Sequence, residues 1–226
     1  MLQETHLLGT NCGFLGRMGF DRVYHAGFTR GSRGVAILLK RTYPFTQLGT
    51  RADPQGRFVA IWGLVEGIAY NFISVYIPPQ SHTLALGELG RVLLDLPPGV
   101  TVIGGDFNAL IDPKIDSSRK LNTRALDSDT RFGEWTRSLG LCETWRAWNP
   151  NAAQYTHTSA AHGSHSRLDY VLMPSTDTHL TCGARILSRG LSHHSPVQSS
   201  IGKEGTQRRP MWRLNAWFLE DPQFVK

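Results

Sequence analysis

The residues best suited to chemistry stand at the end of a short apolar run, Ile103-Gly104-Gly105-Asp106-Phe107-Asn108. Side chains at positions i and i+2 of an extended chain point the same way, so Asp106 and Asn108 are predicted to address one point in space. A carboxylate orients water or a metal ion, and an amide donates a hydrogen bond to an oxygen atom, which suits a phosphate centre. A glycine-rich turn without chemistry is the alternative interpretation.

A second acid interrupts an apolar strand pattern in the segment Ser166-Arg167-Leu168-Asp169-Tyr170-Val171-Leu172. Strands rarely bury a carboxylate unless another group pairs with it. A histidine or a metal ion is the usual partner for such an acid, and an arginine would also serve structurally. Asp169 is therefore predicted to have a partner elsewhere in the chain.

Two adjacent histidines, His193 and His194, precede Ser195-Pro196. Because imidazole titrates near neutral pH, either could act as a general base, although a lone histidine is more often structural. Further histidines fall in a loop rich in Gly, Ser and Ala: His157, His162 and His165. Their spacing is not that of a zinc site, so we assign none.

Two weaker candidates lie near predicted strand ends. Glu4 follows the short strand pattern Leu2-Gln3, and Tyr76 ends a strand just before Pro78-Pro79. An acid near a chain start is usually solvated, and a tyrosine before prolines usually packs in a core. Neither residue indicates a function when taken alone.

The elements that must position these residues alternate between strands and helices. Apolar runs predict strands over residues 34–39, 57–65, 68–77, 100–104 and 168–173. Glu66-Gly67 predicts a tight hairpin, and a period of 3.6 predicts one helix from Ser81 and another over residues 127–139. The run 57–65 is apolar on both faces, so it must be covered on both sides and the class is mixed α/β.

The composition fits a folded domain with a weak preference for polyanions. The formal net charge is +6 with a pI near 9.5, but the basic residues are scattered, so charge favours nucleic acid only weakly. Hydrophobic residues at 40% exclude a disordered chain, a collagen and a coiled coil. We expect one domain over residues 1–200, followed by a linker and the start of a missing downstream region over residues 201–226.

The sequence lacks the signs of a membrane or secreted protein. It has no apolar run of about 18 residues and no signal-peptide pattern. The three cysteines are scattered and form no CxxC: Cys12, Cys142 and Cys182. We therefore expect a reducing compartment, nuclear or cytoplasmic, and a monomer without an obligate protein partner.

Taken in order, five segments resemble the successive signatures of the endonuclease/exonuclease/phosphatase superfamily. They are Gln3-Glu4-Thr5, Val75-Tyr76-Ile77-Pro78, Gly105-Asp106-Phe107-Asn108, Arg167-Leu168-Asp169-Tyr170 and Ser192-His193-His194-Ser195-Pro196. A finer resemblance is to the endonuclease domain of LINE-type (non-LTR) retrotransposon proteins. It is carried by Gly34-Val35-Ala36-Ile37-Leu38, Thr144-Trp145-Arg146, Tyr155-Thr156 and Trp212-Arg213-Leu214-Asn215.

The resemblance implies a four-layered α/β sandwich, with two mixed sheets flanked by helices, that hydrolyses phosphodiester bonds in DNA with Mg²⁺ or Mn²⁺. It implies Glu4 as the metal-binding carboxylate, Asp169 as a second candidate ligand close to His194, and Asp106 as the acid that orients the attacking water. It also implies a set of residues around the scissile phosphate: Tyr76, Asn108, Thr156, Ser192 and His194.

The sequence departs from the family pattern in three ways. The family begins with a strand that carries an active-site Asn, and this chain, starting at Met1-Leu2, is expected to lack it. His193 stands where the family has an Asp, and a second imidazole cannot orient His194, so we expect a rate loss of about 10² or more. The chain also stops before any polymerase motif.

The leading hypothesis is therefore a DNA-nicking endonuclease domain of a retrotransposon-type protein, impaired by these departures. The alternative is a catalytically inactive retroelement remnant that at most binds nucleic acid. A phosphatase or sphingomyelinase on the same fold is a third possibility.

Overall fold

A computed structural model of the protein describes residues 1–7, 13–119, 126–159, 163–190 and 192–202. The expected downstream region, including Trp212-Arg213-Leu214-Asn215, lies outside the described residues, as do Cys12 and His162. The proposed division at residue 200 therefore stays a prediction.

The described residues form thirteen strands and four α-helices. The strands are β1 (Leu2–Gln3), β2 (Phe20–Ala26), β3 (Val35–Lys40), β4 (Phe45–Ala52), β5 (Phe58–Val65), β6 (Ile68–Tyr76), β7 (Val100–Asp106), β8 (Leu141–Glu143), β9 (His157–Ser159), β10 (Ser164–Ser166), β11 (Asp169–Pro174), β12 (Thr181–Ile186) and β13 (Val197–Ile201). The helices are α1 (Gly13–Arg17), α2 (His82–Asp95), α3 (Leu126–Ser138) and α4 (Thr144–Trp148). Among the described helices, none is long and apolar enough to cross a bilayer.

A six-stranded mixed sheet in the order β4-β5-β6-β7-β11-β8 forms the centre of the fold. Its β6 and β7 are parallel, and the helix α2 makes the crossover between them. The other neighbouring strands of this sheet are antiparallel. The predicted hairpin between β5 and β6 is confirmed, because Glu66 and Gly67 both have positive φ angles, 51° and 83°, as a two-residue hairpin turn requires.

Strand β5 shows why this sheet must lie between two other layers. Phe58 and Ala60 belong to the core under α2 and α3, whereas Val59 and Ile61 belong to the core shared with β2 and β3. All four side chains are buried. The prediction that this strand is covered on both faces is confirmed, and so is the mixed α/β class.

The second layer consists of a three-stranded sheet, β1-β3-β2, and the pair β12-β13. Every described pairing in this layer is antiparallel, so of the two layers only the six-stranded sheet is mixed. Strands β1 and β3 pack against β6, and β13 packs against β11. This packing brings the segment after β1 and the segment before β13 close to the ends of β6, β7 and β11.

Two neighbouring glycines of β7 provide a test of this packing. A Cβ atom at Gly105 would overlap the backbone carbonyl oxygen of Val75 in β6, which cannot move without separating the strands. A Cβ atom at Gly104 would lie 2.6 Å from Met1 Sδ, the far end of a flexible side chain. Urea unfolding should show that Gly105→Ala lowers the free energy of unfolding by at least about 3 kcal/mol, whereas Gly104→Ala changes it by less than about 1 kcal/mol. Equal losses in the two variants would contradict the strand spacing.

Candidate functional site

Three polar side chains stand in a row across the central sheet because their strands end together. The parallel register of β6 and β7 pairs Tyr76 with Asp106, and the antiparallel register of β7 and β11 pairs Asp106 with Asp169. Side chains at paired positions lie on the same face of a sheet, within about 5.5 Å of each other at Cβ. Sheet register alone therefore brings together residues that are far apart in the sequence.

His194 joins this row from the loop that precedes β13. Its Nδ1 lies 2.8 Å from Oδ2 of Asp169, and since a carboxylate only accepts, the Nδ1–H group donates this hydrogen bond. One ligand atom from each of Asp106, Asp169 and His194 lies within 4.8 Å of the others, so that the three could hold one metal ion. The partner predicted for Asp169 is thus a histidine.

The carboxylate of Asp106 is the electrostatic centre of the cluster. Only 6% of the residue is exposed, and burial, followed by the negative charge of Asp169, raises the pKa of Asp106 to about 7. Two adjacent carboxylates that repel each other in a buried place form a donor set that favours a hard divalent cation. The residues present therefore fit Mg²⁺ or Mn²⁺.

Asp169 favours the charged form of His194. Burial opposes the charge, but the hydrogen bond and the charge of Asp169 outweigh it, so the pKa of His194 lies above its usual value. The expectation that His194 lacks an orienting acid because residue 193 is a histidine is wrong. Asp169 supplies that acid from β11, and His193 is exposed.

Asn108 meets Asp106 through a turn and not through strand alternation. Strand β7 ends at Asp106, and Asn108 adopts a left-handed conformation with φ 49°. Its backbone N–H donates to Asp106 Oδ1 at 2.9 Å, and its Nδ2 donates to Asp106 Oδ2 at 3.2 Å and to the Ile77 carbonyl at 3.1 Å. The two side chains do converge, and the amide restrains the carboxylate in this structure.

Tyr76 and Glu4 form the neighbouring part of the site. Burial, then the hydrogen bond and charge of Glu4, raise the pKa of Tyr76 well above its usual value, so its hydroxyl stays protonated and able to donate. Glu4 is exposed and left-handed at φ 48°. It does not belong to the cluster of Asp106, Asp169 and His194, although its charge acts on Asp106 and His194.

The structure gives Thr156 a different place from the one expected. Thr156 is only 1% exposed, and its Oγ1 accepts hydrogen bonds from the backbone N–H groups of Leu168 at 2.9 Å and Asp169 at 3.1 Å. Because Thr156 is almost fully buried, its hydroxyl does not face a phosphate. The expected phosphate contact is therefore replaced by a role in positioning the backbone of Asp169. Ser192 is exposed, and its Oγ accepts the His194 N–H at 3.0 Å.

Sequence reasoning missed a buried ionic network that anchors the start of β11. Arg167, 1% exposed, donates to Asp116 Oδ1 at 2.9 and 3.0 Å and to Glu143 Oε2 at 2.6 Å. Arg146 donates to the same Asp116 oxygen at 2.7 Å. The only signal in the sequence was an arginine two residues before Asp169, and its partners lie 24 and 51 positions away.

A cavity of about 770 Å³ opens beside the cluster. Residues of β1 and β13 form its flanks, residues of β7 and β11 form its floor, and Asp169, Ser192 and His194 line one end. The cavity reaches the cluster only at that end, because Asp106 and Tyr76 do not line it. His157, whose ring lies 4.8 Å from that of His194, borders the same region.

Known proteins resemble this chain in both sequence and fold. The sequence profile described as the Endonuclease/Exonuclease/phosphatase family matches residues 1–194. A 3'-5' exonuclease (NExo) from Neisseria meningitidis superposes with a TM-score of 0.70 at 20% identity, over 89% of this chain and 88% of that one. An AP endonuclease from Archaeoglobus fulgidus gives 0.65 at 19% identity, over 88% and 86%. The AP endonuclease LMAP from Leishmania major gives 0.68 at 15% identity, over 90% and 78%.

Replacing the partner of His194 tests the electrostatics of this pair. In Asp169→Asn, the hydrogen bond and the negative charge of Asp169 are both lost, so the pKa of His194 should fall, although Asp106 and Glu4 still favour the charged form. NMR titration of the imidazole signals measures the change, with His193→Asn as the matched control, which should leave the pKa of His194 raised. An unchanged pKa in Asp169→Asn would show that another group holds the charge.

The raised pKa of Asp106 predicts a pH-dependent stability in metal-free protein. The folded state keeps a proton that the unfolded chain releases, so stability should fall as the pH rises from the ordinary 3.8 to about 7. The loss should reach at most about 4 kcal/mol, and it should be absent in Asp106→Asn. Urea unfolding in EDTA measures it, and Mg²⁺ should restore stability more at pH 8 than at pH 5. The same pH slope in Asp106→Asn and in the control Glu134→Gln would refute this assignment.

Proposed function

Because the chain belongs to the endonuclease/exonuclease/phosphatase family, whose members hydrolyse phosphoesters, we propose that it is a DNA endonuclease that nicks phosphodiester bonds with Mg²⁺ or Mn²⁺. The observation that carries this proposal is the convergence of Asp106, Asp169 and His194 at one point beside Tyr76. Acidic, cationic and hydroxyl groups in one open site are what hydrolysis of a phosphodiester requires.

The acids divide into two roles. Glu4 and Asp169 are the proposed cation-binding carboxylates, and the cation, when bound, neutralises charge that develops on the phosphate. Asp106 is the proposed acid that orients the attacking water. Its carboxylate is buried and is held in one orientation by the backbone and side-chain N–H groups of Asn108.

The remaining polar groups surround the proposed phosphate position. His194 in its charged form and the protonated hydroxyl of Tyr76 are donors to phosphate oxygens, and Asn108 and Ser192 are proposed phosphate-side contacts. The Asn108 amide would exchange its bond to Asp106 for one to the substrate. Thr156 keeps the structural role of holding the backbone of Asp169.

The proposal that DNA is the substrate rests on the net charge of this chain and on the ligand of a similar protein. The net charge of +6 favours a polyanion, and the Neisseria enzyme, described as a 3' phosphatase, has been seen with a product DNA hairpin. The retrotransposon-type assignment rests on the segments quoted above, of which Thr144-Trp145-Arg146 begins α4 and supplies Arg146 to the buried network. We further propose a monomer that acts in the nucleus or cytoplasm.

The geometry favours an active enzyme over an inactive remnant. One of the two expected causes of impairment was an unoriented His194, and Asp169 orients that residue. A remnant under no constraint would have no reason to keep two repelling carboxylates side by side in the interior. Activity is therefore the proposed state, and binding without cleavage is the alternative outcome of the test.

A plasmid-nicking assay tests this function. Wild-type protein should convert supercoiled plasmid to open circles with Mg²⁺ and not with EDTA. Asp106→Ala should reduce the rate by at least about 10³, because Asp106 is the proposed acid that orients the water. Glu134→Gln, an exposed acid on the outer helix α3, should nick at the wild-type rate.

Two results would contradict the proposal. Equal nicking by wild type and Asp106→Ala would indicate a contaminating nuclease or another site. A wild type that binds plasmid without nicking it would support the inactive remnant. Parallel assays on a recessed 3' end and on a 3'-phosphorylated oligonucleotide separate nicking from exonuclease and phosphatase activity.

A further inference from the structure

An exposed loop between β2 and β3 presents an aromatic ring and a guanidinium group together. Phe28 is 44% exposed, and the Arg33 guanidinium carbon lies 4.7 Å from the centre of its ring. Thr29 and Ser32 close the tip of the loop with a hydroxyl–hydroxyl hydrogen bond of 2.9 Å. The exposed ring and the guanidinium thus form a cation–π pair at the surface.

The loop is fixed in place and is not a free arm. Arg33 is left-handed at φ 61°, and its Nη1 donates to Gln55 at 3.3 Å from Oε1 and 3.4 Å from the backbone oxygen. A Cβ atom at Gly56 would lie 3.1 Å from Phe28 atoms, so the turn at residues 53–56 packs closely under the loop. The ring and the guanidinium therefore keep their relative positions before any ligand arrives.

This loop borders the proposed active site. The Arg33 carbonyl accepts the His6 N–H at 3.2 Å, and the Gly34 carbonyl accepts the Thr5 N–H at 3.0 Å, which ties the loop to the segment that carries Glu4. The positive charge of Arg33 also opposes the rise in the pKa of Tyr76. Arg33 is thus a cation beside the row of acids and not a remote surface charge.

The charge of Arg33 is not neutralised by an acid within the described part of the chain. Arg57, Arg146 and Arg167 each form ion pairs of 4.0 Å or less, whereas Arg33 has none in that part. A guanidinium group matches a phosphate in both geometry and charge. Arg33 has no acidic partner in the described residues and lies beside the site where the phosphate is proposed to react.

We propose that Phe28 and Arg33 form a nucleotide-binding platform that holds the DNA strand next to the reacting phosphate. Arg33 contacts a backbone phosphate, and the exposed ring of Phe28 stacks on a base or sugar of the same strand. This inference rests on the proposed function, and it assigns to the two residues a role in substrate binding and not in the chemical step.

Salt-dependent DNA binding in EDTA, where no cleavage occurs, separates the two contacts. Arg33→Ala should make the slope of log affinity against log salt shallower by about 0.9 on duplex DNA, the value of one lost phosphate contact. Arg33→Lys should keep the slope. Phe28→Ala should weaken binding about 5- to 50-fold without changing the slope, and Phe28→Tyr should bind like wild type.

Arg41→Ala is the matched control, because Arg41 follows the opposite end of β3 and is 76% exposed in its side chain. It should leave the slope and the affinity unchanged. In the nicking assay, Arg33→Ala should raise KM with little change in kcat. Melting curves check that each variant folds. If an alanine variant does not fold, Arg33→Lys and Phe28→Tyr still test the two contacts.

The outcomes are distinct. If wild type binds DNA and Arg33→Ala behaves like Arg41→Ala, the platform is wrong while the proposed function stands. If wild type neither binds nor nicks DNA, the proposed function itself fails. A kcat loss in Arg33→Ala at unchanged KM and unchanged slope would also overturn the platform, because it would place Arg33 in the chemical step.

Discussion

The site depends on two carboxylates that the sheet forces together. Asp106 and Asp169 occupy paired positions of β7 and β11, and backbone hydrogen bonds of the sheet fix that pairing. Their mutual repulsion and the burial of Asp106 can be relieved only by a proton, a cation or a charged partner. Asp169 favours the charged form of His194, and the pKa of Asp106 is nonetheless raised to about 7. A divalent cation, as proposed above, would balance the remaining negative charge.

The fold contributes by making the position of Asp169 rigid. Arg167, two residues earlier, is locked between Asp116 and Glu143, and Thr156 accepts the N–H of Asp169 itself. Glu143 also caps α4 through the backbone N–H groups of Trp145 and Arg146. An ionic network with several hydrogen bonds is costly to disturb once buried, so small shifts of β11 are resisted. The distance between the carboxylates of Asp106 and Asp169, on which binding of a cation would depend, is thereby kept constant.

Strand patterns and local motifs predicted four of the six strands of the central sheet, namely β5, β6, β7 and β11. They also predicted the β5–β6 hairpin, both long helices and a partner for Asp169. These features depend on neighbours in the sequence, so a single chain reveals them. The geometry of Asn108, the burial of Thr156 and the acid that orients His194 depend on contacts between distant segments. Residue type and spacing do not contain that information, and the motif around His193 suggested a defect that the distant Asp169 removes. The Arg33 and Phe28 pair escaped notice because it is formed by a loop without a motif.

Mn²⁺ titration followed by NMR of the histidine side chains tests the central claim most directly. A paramagnetic ion bound by Asp169 and a neighbouring carboxylate would lie close to His194 and His157, whereas His179 lies in the short 3₁₀ helix Ser175–Leu180 that follows the far end of β11. The account predicts that the signals of His194 and His157 broaden at the lowest Mn²⁺ additions while that of His179 stays sharp. Uniform broadening of all histidines, or a sharp His194 signal at saturating Mn²⁺, would show that no cation binds at this cluster of acids.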